Sequence, residues 1–235
     1  SVDIKKVAVL GTGVMGGQIA AHLTNANFEV YAFDMNQETA ESGIKATQEI
    51  KPAAFYNKKT ADMITPMNYN DHLSKISECD WVFEAISERI DWKKDLYSKI
   101  TPHLSDSAIL TSNTSGISLS ELSEGMDQSL KDRFFITHFF NPPRYMKLVE
   151  VIYPESVIRE SLDLIVGILE DDLGKGVVHA KDTPNFIANR IGVFGMMNVL
   201  SVASKMKLSV EDVDALTGSL IGREKSATFR TADVV

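Results

Sequence analysis

Apolar residues in this chain fall into short compact runs that alternate with longer segments of helical spacing. Lys6–Leu10 (KVAVL) is a β-branched run, and Val14–Asn25 behind it places Met15, Ile19, Ala20 and Leu23 along one helical face. Residues 28–33 (FEVYAF) predict a second strand ending at Asp34, and a helix is expected over 37–51, then a polar stretch around 57–63. Further strands are predicted at 81–86, 108–111, 134–139, 148–152 and 177–180. Helices are predicted at 92–100, 118–124 and 156–173. A strand, helix and strand within about thirty residues make one βαβ unit. Repeated, the unit predicts an α/β fold, doubly wound about a mainly parallel sheet.

The strand signals stop at Lys181-Asp182-Thr183-Pro184. Residues 186–205 form one long apolar-periodic segment, and Leu208-Ser209 opens another through Ile221. Ser209 is the expected N-cap there, with Glu211 and Asp212 in the first turn. Two domains are therefore expected: an α/β domain over 1–183 and an all-helical one over 184–235. The second finishes on Ala232-Asp233-Val234-Val235 without a turn or a cap, which reads as a helical domain cut short.

Composition narrows the function classes. A length of 235 residues suits one or two domains. The 24 Lys and Arg face 32 Asp and Glu, a net charge of −8, with no sustained basic cluster. That balance argues against a nucleic-acid groove or an anionic membrane as partner. No apolar run reaches the roughly 18 residues of a spanning helix, and the segment from Ser1 to Lys6 does not read as a secretory signal. One cysteine, Cys79, allows neither an internal disulfide framework nor a cysteine-based zinc site. A soluble, cytoplasmic protein with no bound metal is expected.

Between the first strand and its helix lies Gly11-Thr12-Gly13-Val14-Met15-Gly16, a G-x-G-x-x-G turn. The first glycine permits the tight turn, the second lets backbone approach a pyrophosphate, and the third lets helix pack on strand. A helix N-terminus offers free N–H groups and partial positive charge to phosphates. Asp34 stands 18 residues after Gly16, at the end of the next strand, where a carboxylate accepts from a ribose 2′-hydroxyl and repels a 2′-phosphate. NAD is the cofactor this pattern prefers.

The run FFITHFFNPP sets His138 among apolar neighbours at the end of a predicted strand, where α/β proteins place ligands. Such a histidine is commonly a plain core residue. Glu150, however, interrupts the apolar run LVEVI twelve positions on, and a buried carboxylate needs a partner. Paired, they would form a base whose pKa the acid raises, able to exchange a proton near neutral pH. Ser115 reads as a turn cap or as a group polarising a substrate oxygen. Asn141 and Asn189 add hydrogen-bond donors for the same cleft. Glu84, Glu88 and Lys93 read as contacts of a nicotinamide ribose or as partners of a helix start.

These residues carry a resemblance. VAVLGTGVMGGQIA, FEAISERIDWK, SNTSGISLSEL, HFFNPPRYMKLVEV and KDTPNFIANRI, spread between residues 6 and 192, resemble the NAD-dependent 3-hydroxyacyl-CoA dehydrogenases of fatty acid β-oxidation. The resemblance implies a Rossmann-type domain followed by a helical substrate and dimerisation domain. It also implies an acyl-CoA thioester substrate and a homodimer. By position, it makes His138 the catalytic base and Glu150 its partner. Ser115 and Asn141 become contacts of the substrate oxygen and the nicotinamide end. Asn189 becomes the asparagine beside the histidine, Glu88 and Lys93 cofactor contacts, and Asp34 the ligand of the adenosine ribose.

The family's CoA site falls near Thr47 and Lys51, although a family lysine is replaced around Ala54. Lys51, Lys58 and Lys59 read either as a positive spot for CoA phosphates or as a solvated face. Two further departures are Asn185, where the family usually has glycine, and GREKSATFRTADVV. That last stretch resembles chains that continue into an enoyl-CoA hydratase region. GTGVMGGQIA is also similar to the small β-hydroxyacid dehydrogenases, which use a lysine on the helix at the domain junction. Asn185-Phe186-Ile187-Ala188-Asn189-Arg190 has none. An NAD-binding module without turnover is the third reading.

Overall fold

The computed structural model describes residues 4–223 and 225–233. Residues 1–3, Glu224, Val234 and Val235, parts of the leader and chain-end readings above, lie outside them. The chain divides into two compact units, residues 1–184 and 185–235.

In the first unit β1 (Lys6–Leu10), α1 (Val14–Asn25), β2 (Glu29–Asp34), α2 (Gln37–Glu49) and β3 (Ile64–Asn68) come first. The chain then recrosses to β4 (Trp81–Glu84), α3 (Ile90–Ile100) and β5 (Ile109–Ser112). Two short helices, α4 (Leu119–Leu122) and α5 (Gln128–Lys131), lead to β6 (Phe134–Phe139). β7 (Leu148–Ile152), α6 (Arg159–Gly167) and β8 (Gly176–His179) complete the unit. The strands form one sheet in the order β3-β2-β1-β4-β5-β6-β7-β8. Those from β3 to β6 are mutually parallel, β7 runs antiparallel to β6, and β8 runs parallel to β7. Because β4 enters on the far side of β1 from β2, the winding reverses there. That reversal opens a crevice beyond the carboxyl ends of β1 and β4.

Strand periodicity sorts the sheet into two faces. Val7, Val9, Val30, Ala32, Trp81 and Phe83 join Ile19, Ala20 and Leu23 of α1 in one buried cluster. Full burial of such large apolar side chains contributes roughly 1.5–3 kcal/mol apiece. On the opposite face the register joins Leu10 to Glu84, Glu84 to Ser112, Ser112 to Ile136 and, two residues on, His138 to Glu150. Polar groups therefore collect on one face near the carboxyl edge of an otherwise apolar sheet.

β3 was not predicted. Pro66 lies in its middle, and the strand is tolerated because it pairs with β2 alone at the sheet edge, where a missing N–H costs no ladder bond. The helix expected over 156–173 begins three residues later, after a turn in which Val157 N–H donates to Pro154 O. It widens to a π turn over Ile168–Asp172, which keeps Leu169 and Leu173 buried while residues 170–172 stay exposed.

In the second unit α7 (Ala188–Met206), α8 (Val210–Thr217) and α9 (Thr228–Ala232) follow one another. Lys207 ends α7 in the left-handed conformation, and Ser209 and Asp212 form a reciprocal capping box at the start of α8. Asp214 accepts from Phe229 N–H at 2.7 Å and so ties α9 to α8. Among the described residues no helix is long and apolar enough to cross a membrane.

Candidate active site

The glycine turn follows β1 directly. Gly11 has φ +99°, and a Cβ there would stand 2.7 Å from Ala85 O; a Cβ on Gly16 would stand 1.9 Å from Gly11 O. Those two positions admit nothing larger. Gly13 differs: it is the extended N-cap of α1, no side chain caps that helix, and a Cβ on it would meet nothing within 4 Å. The first turn of α1 also holds no acidic residue. Uncapped N–H groups beside open space at a helix start suit the pyrophosphate of a dinucleotide. Val14 is 62% exposed, and Met15 is half-buried behind it.

Asp34, at the end of β2, closes over this turn. Its Oδ2 accepts from Thr12 N–H at 2.8 Å and from the Thr12 hydroxyl at 2.7 Å, and Oδ1 accepts from Met35 N–H at 2.8 Å. A carboxylate has about four acceptor sites, so one is left for a ribose hydroxyl.

Across the crevice, Glu84 is fully buried at the end of β4. It accepts from Lys93 Nζ at 2.6 Å, Ser112 Oγ at 3.1 Å, Ile86 N–H at 3.1 Å and the Tyr97 hydroxyl. Lys93 is 1% exposed, and its ammonium also reaches Ile86 O at 3.3 Å and Glu88 Oε2 at 3.5 Å. Its contact with the rim therefore runs through Glu88. Glu88 Oε1 gathers the Thr114 hydroxyl at 2.6 Å, Ser115 N–H at 2.9 Å and Gly116 N–H at 3.1 Å. Burial alone would raise the Glu88 pKa; the Thr114 hydroxyl, the Lys93 charge and the two backbone N–H groups outweigh it and hold the carboxyl below its usual range. Ser115 is exposed, with its hydroxyl 3.4 Å from the same oxygen.

His138 and Glu150 are cross-strand partners, 4% and 0% exposed, with Nδ1 3.9 Å from Oε1. As expected, the acid pulls this imidazole's pKa upward, but the net shift is downward. Burial lowers it below the ordinary value, and the upward pulls of Glu150 and Glu88 only moderate the shift. Phe140 stacks near the ring, centroid to centroid 4.4 Å.

Asn141 follows in the link between β6 and β7. That link is held by Lys175, whose Nζ donates to Pro143 O and, at 3.0 Å, to Met146 O. Arg144 Nη1 donates to Ala53 O at 2.7 Å, and the Tyr145 hydroxyl to the same carbonyl at 2.9 Å. Asn113 Oδ1 accepts from Phe139 N–H at 2.9 Å and joins the ends of β5 and β6.

The structure does not leave Thr47 open to a CoA. It is 5% exposed, its hydroxyl donates to Gly43 O at 2.9 Å, and its Oγ1 occupies the space a Cβ on Gly17 would need. Thr47 is a packing residue between α2 and α1. Lys51 is exposed just beyond α2, and Lys58 pairs with Glu49 at 2.8 Å. Asn189 lies in the second unit, as the second residue of α7. Sequence reasoning missed Gln18, Asn113 and Thr114; their signal was slight, one amide inside an apolar helix and two small polar residues in a turn.

A winding reversal beside β1, a glycine turn at its crevice and an acid ending β2 define a dinucleotide-binding protein. Residues 6–183 match the family described as 3-hydroxyacyl-CoA dehydrogenase, NAD binding domain, and the chain belongs to that family. It is 42% identical to a probable 3-hydroxyacyl-CoA dehydrogenase of Bacillus subtilis, with 99% of this chain covering 32% of that one. It is also 42% identical to one of Deinococcus radiodurans, with 99% of this chain covering 69% of that one. The chain thus spans about a third of the first relative and about two thirds of the second. The crystal structure of FadB2 from M. tuberculosis superposes with a TM-score of 0.85 at 25% identity, over 100% of this chain and 83% of that one.

Proposed function

We propose that this chain is the cofactor-binding and proton-transfer part of an NAD-dependent dehydrogenase. It converts a (3S)-3-hydroxyacyl-CoA to the 3-oxoacyl-CoA in fatty acid β-oxidation. The observation that carries this reading is the buried His138–Glu150 pair at 3.9 Å, on a sheet whose first strand opens into the glycine turn. Burial favours the neutral imidazole, the form that can accept a proton. His138 takes the proton of the substrate's 3-hydroxyl, and the Glu150 carboxylate stabilises the imidazolium that results. Ser115 and Asn141 hold the oxygen. Bound NAD supplies the hydride acceptor for C3. Asp34 orients the adenosine ribose, and Glu88, fixed by Lys93, orients the other ribose. The family resemblance supports Asn189 as a further contributor from the helical unit.

General-base transfer of this kind supplies about 10²–10⁴-fold. The whole protein is inferred to be a cytoplasmic homodimer joined through its helical part, where Ile191, Phe194 and Met197 are exposed. Attachment to a further catalytic region, such as a hydratase, is supported by the likeness to putative fatty acid oxidation complex trifunctional enzymes of Rickettsia, 38% and 36% identical, of which this chain covers 33%.

Oxidation of NADH by the intact protein is expected with acetoacetyl-CoA and not with free 3-oxo acids, which separates this reading from a small β-hydroxyacid dehydrogenase. His138→Gln should lower turnover by about 10²-fold or more while NADH affinity stays within about twofold. Equal losses of both would contradict the assignment.

A further inference from the structure

One buried amide connects the cofactor helix to the link that follows the histidine. Gln18, on α1 one turn beyond the glycine turn, is 3% exposed. Its Nε2 donates to Val14 O at 2.9 Å and to Asn141 Oδ1 at 3.2 Å. A backbone carbonyl only accepts, so Val14 O dictates which end of the Gln18 amide lies against it. The second hydrogen of the same nitrogen then requires an acceptor. Asn141 must therefore turn its oxygen to Gln18 and its NH₂ group away from it. Lys175 holds the backbone of this link, and the Arg144 and Tyr145 side chains tie it to Ala53 O, whereas among the described residues Gln18 is the hydrogen-bond partner of the Asn141 amide.

We propose that Gln18 is a positioning residue of the reaction: it locks Asn141 so that the cleft is offered two hydrogen-bond donors rather than an acceptor. The matching ligand group is the oxygen on the substrate's C3; a Gln18→Glu protein whose main loss is in NADH Kd would overturn this assignment. The inference rests on the dehydrogenase reading, which gives Asn141 its place at the reacting oxygen. Gln18 itself touches neither substrate nor cofactor.

The test compares the intact protein with Gln18→Glu and Gln18→Met, using acetoacetyl-CoA and NADH. An ionised Glu can only accept, so Asn141 rotates to donate to it and turns its oxygen toward the cleft. Gln18→Glu should lower kcat about tenfold or more while NADH Kd stays near that of the unaltered protein; the buried charge facing Val14 O should also lower the melting temperature. Gln18→Met leaves either end of Asn141 available and should cost only about two- to threefold.

A double-mutant cycle covers the case in which Gln18→Glu does not fold. In an Asn141→Ala background, Gln18→Met should have no further effect on kcat. An undiminished kcat in Gln18→Glu overturns the inference, as does a further loss of the full size in the Asn141→Ala background. Inactivity of the unaltered protein would instead sink the dehydrogenase reading, and this inference with it.

Discussion

His138 must be neutral to act as a base, and burial keeps its pKa below the ordinary histidine value. In the oxidative direction, with 3-hydroxyacyl-CoA and NAD as reactants, activity is therefore expected to fall only as pH drops through that depressed pKa, and to be level above it. Glu150 is the larger of the two upward pulls on this ring. Glu150→Gln should move the acid limb of kcat/KM to lower pH and lower its plateau by about tenfold or more, read from a pH–rate profile. A limb moving to higher pH would contradict the pairing. His138 and Glu150 stood out in the sequence because each breaks an apolar strand. The direction of the net pKa shift did not, since a sequence shows a neighbouring acid but not how much water the fold removes. Thr47 was placed near the CoA site by resemblance alone, and nothing in the sequence shows that Gly17 brings a second helix against it. Asn185, where the family usually has glycine, adopts φ +61°, a left-handed conformation that asparagine tolerates better than most residues.

The turn between β1 and α1 separates two uses of glycine within one motif. Gly16→Ala places a methyl group against Gly11 O, so the helix must shift and the variant should be destabilised. Gly13→Ala meets nothing in the protein, so its melting temperature should hold while NADH affinity drops by about tenfold or more, measured by titration. A Gly13→Ala protein that binds NADH normally would remove the pyrophosphate from this helix start. Element identity was legible wherever apolar spacing was strong, as in Lys6–Leu10 and Phe134–Phe139. β3 escaped because a mid-strand proline is permitted only by its edge position, and that position depends on the other seven strands. The π turn escaped because it preserves the apolar spacing of an ordinary helix to within one residue.

For the whole molecule, stability should be sensitive to acid through His22. Burial, with the Lys175 and Arg144 charges, lowers its pKa from 6.5 to about 4. The folded protein thus keeps this ring neutral where the unfolded chain would protonate it. Stability is full above about pH 6.5 and falls as pH drops toward 4, by on the order of 3 kcal/mol. His22→Met should flatten that part of the curve in denaturant melts; an unchanged slope would clear this residue. Sequence periodicity indicated strands and helices but not that β7 turns back along β6, because strand direction is set by connections and pairing rather than by composition. This reversal has an evolutionary consequence. Acid and base are spaced by the ladder between two neighbouring strands, not by the stretch of chain that joins them. Insertions or exchanges in that joining stretch can remodel what a new substrate meets while the proton-handling couple stays as it was.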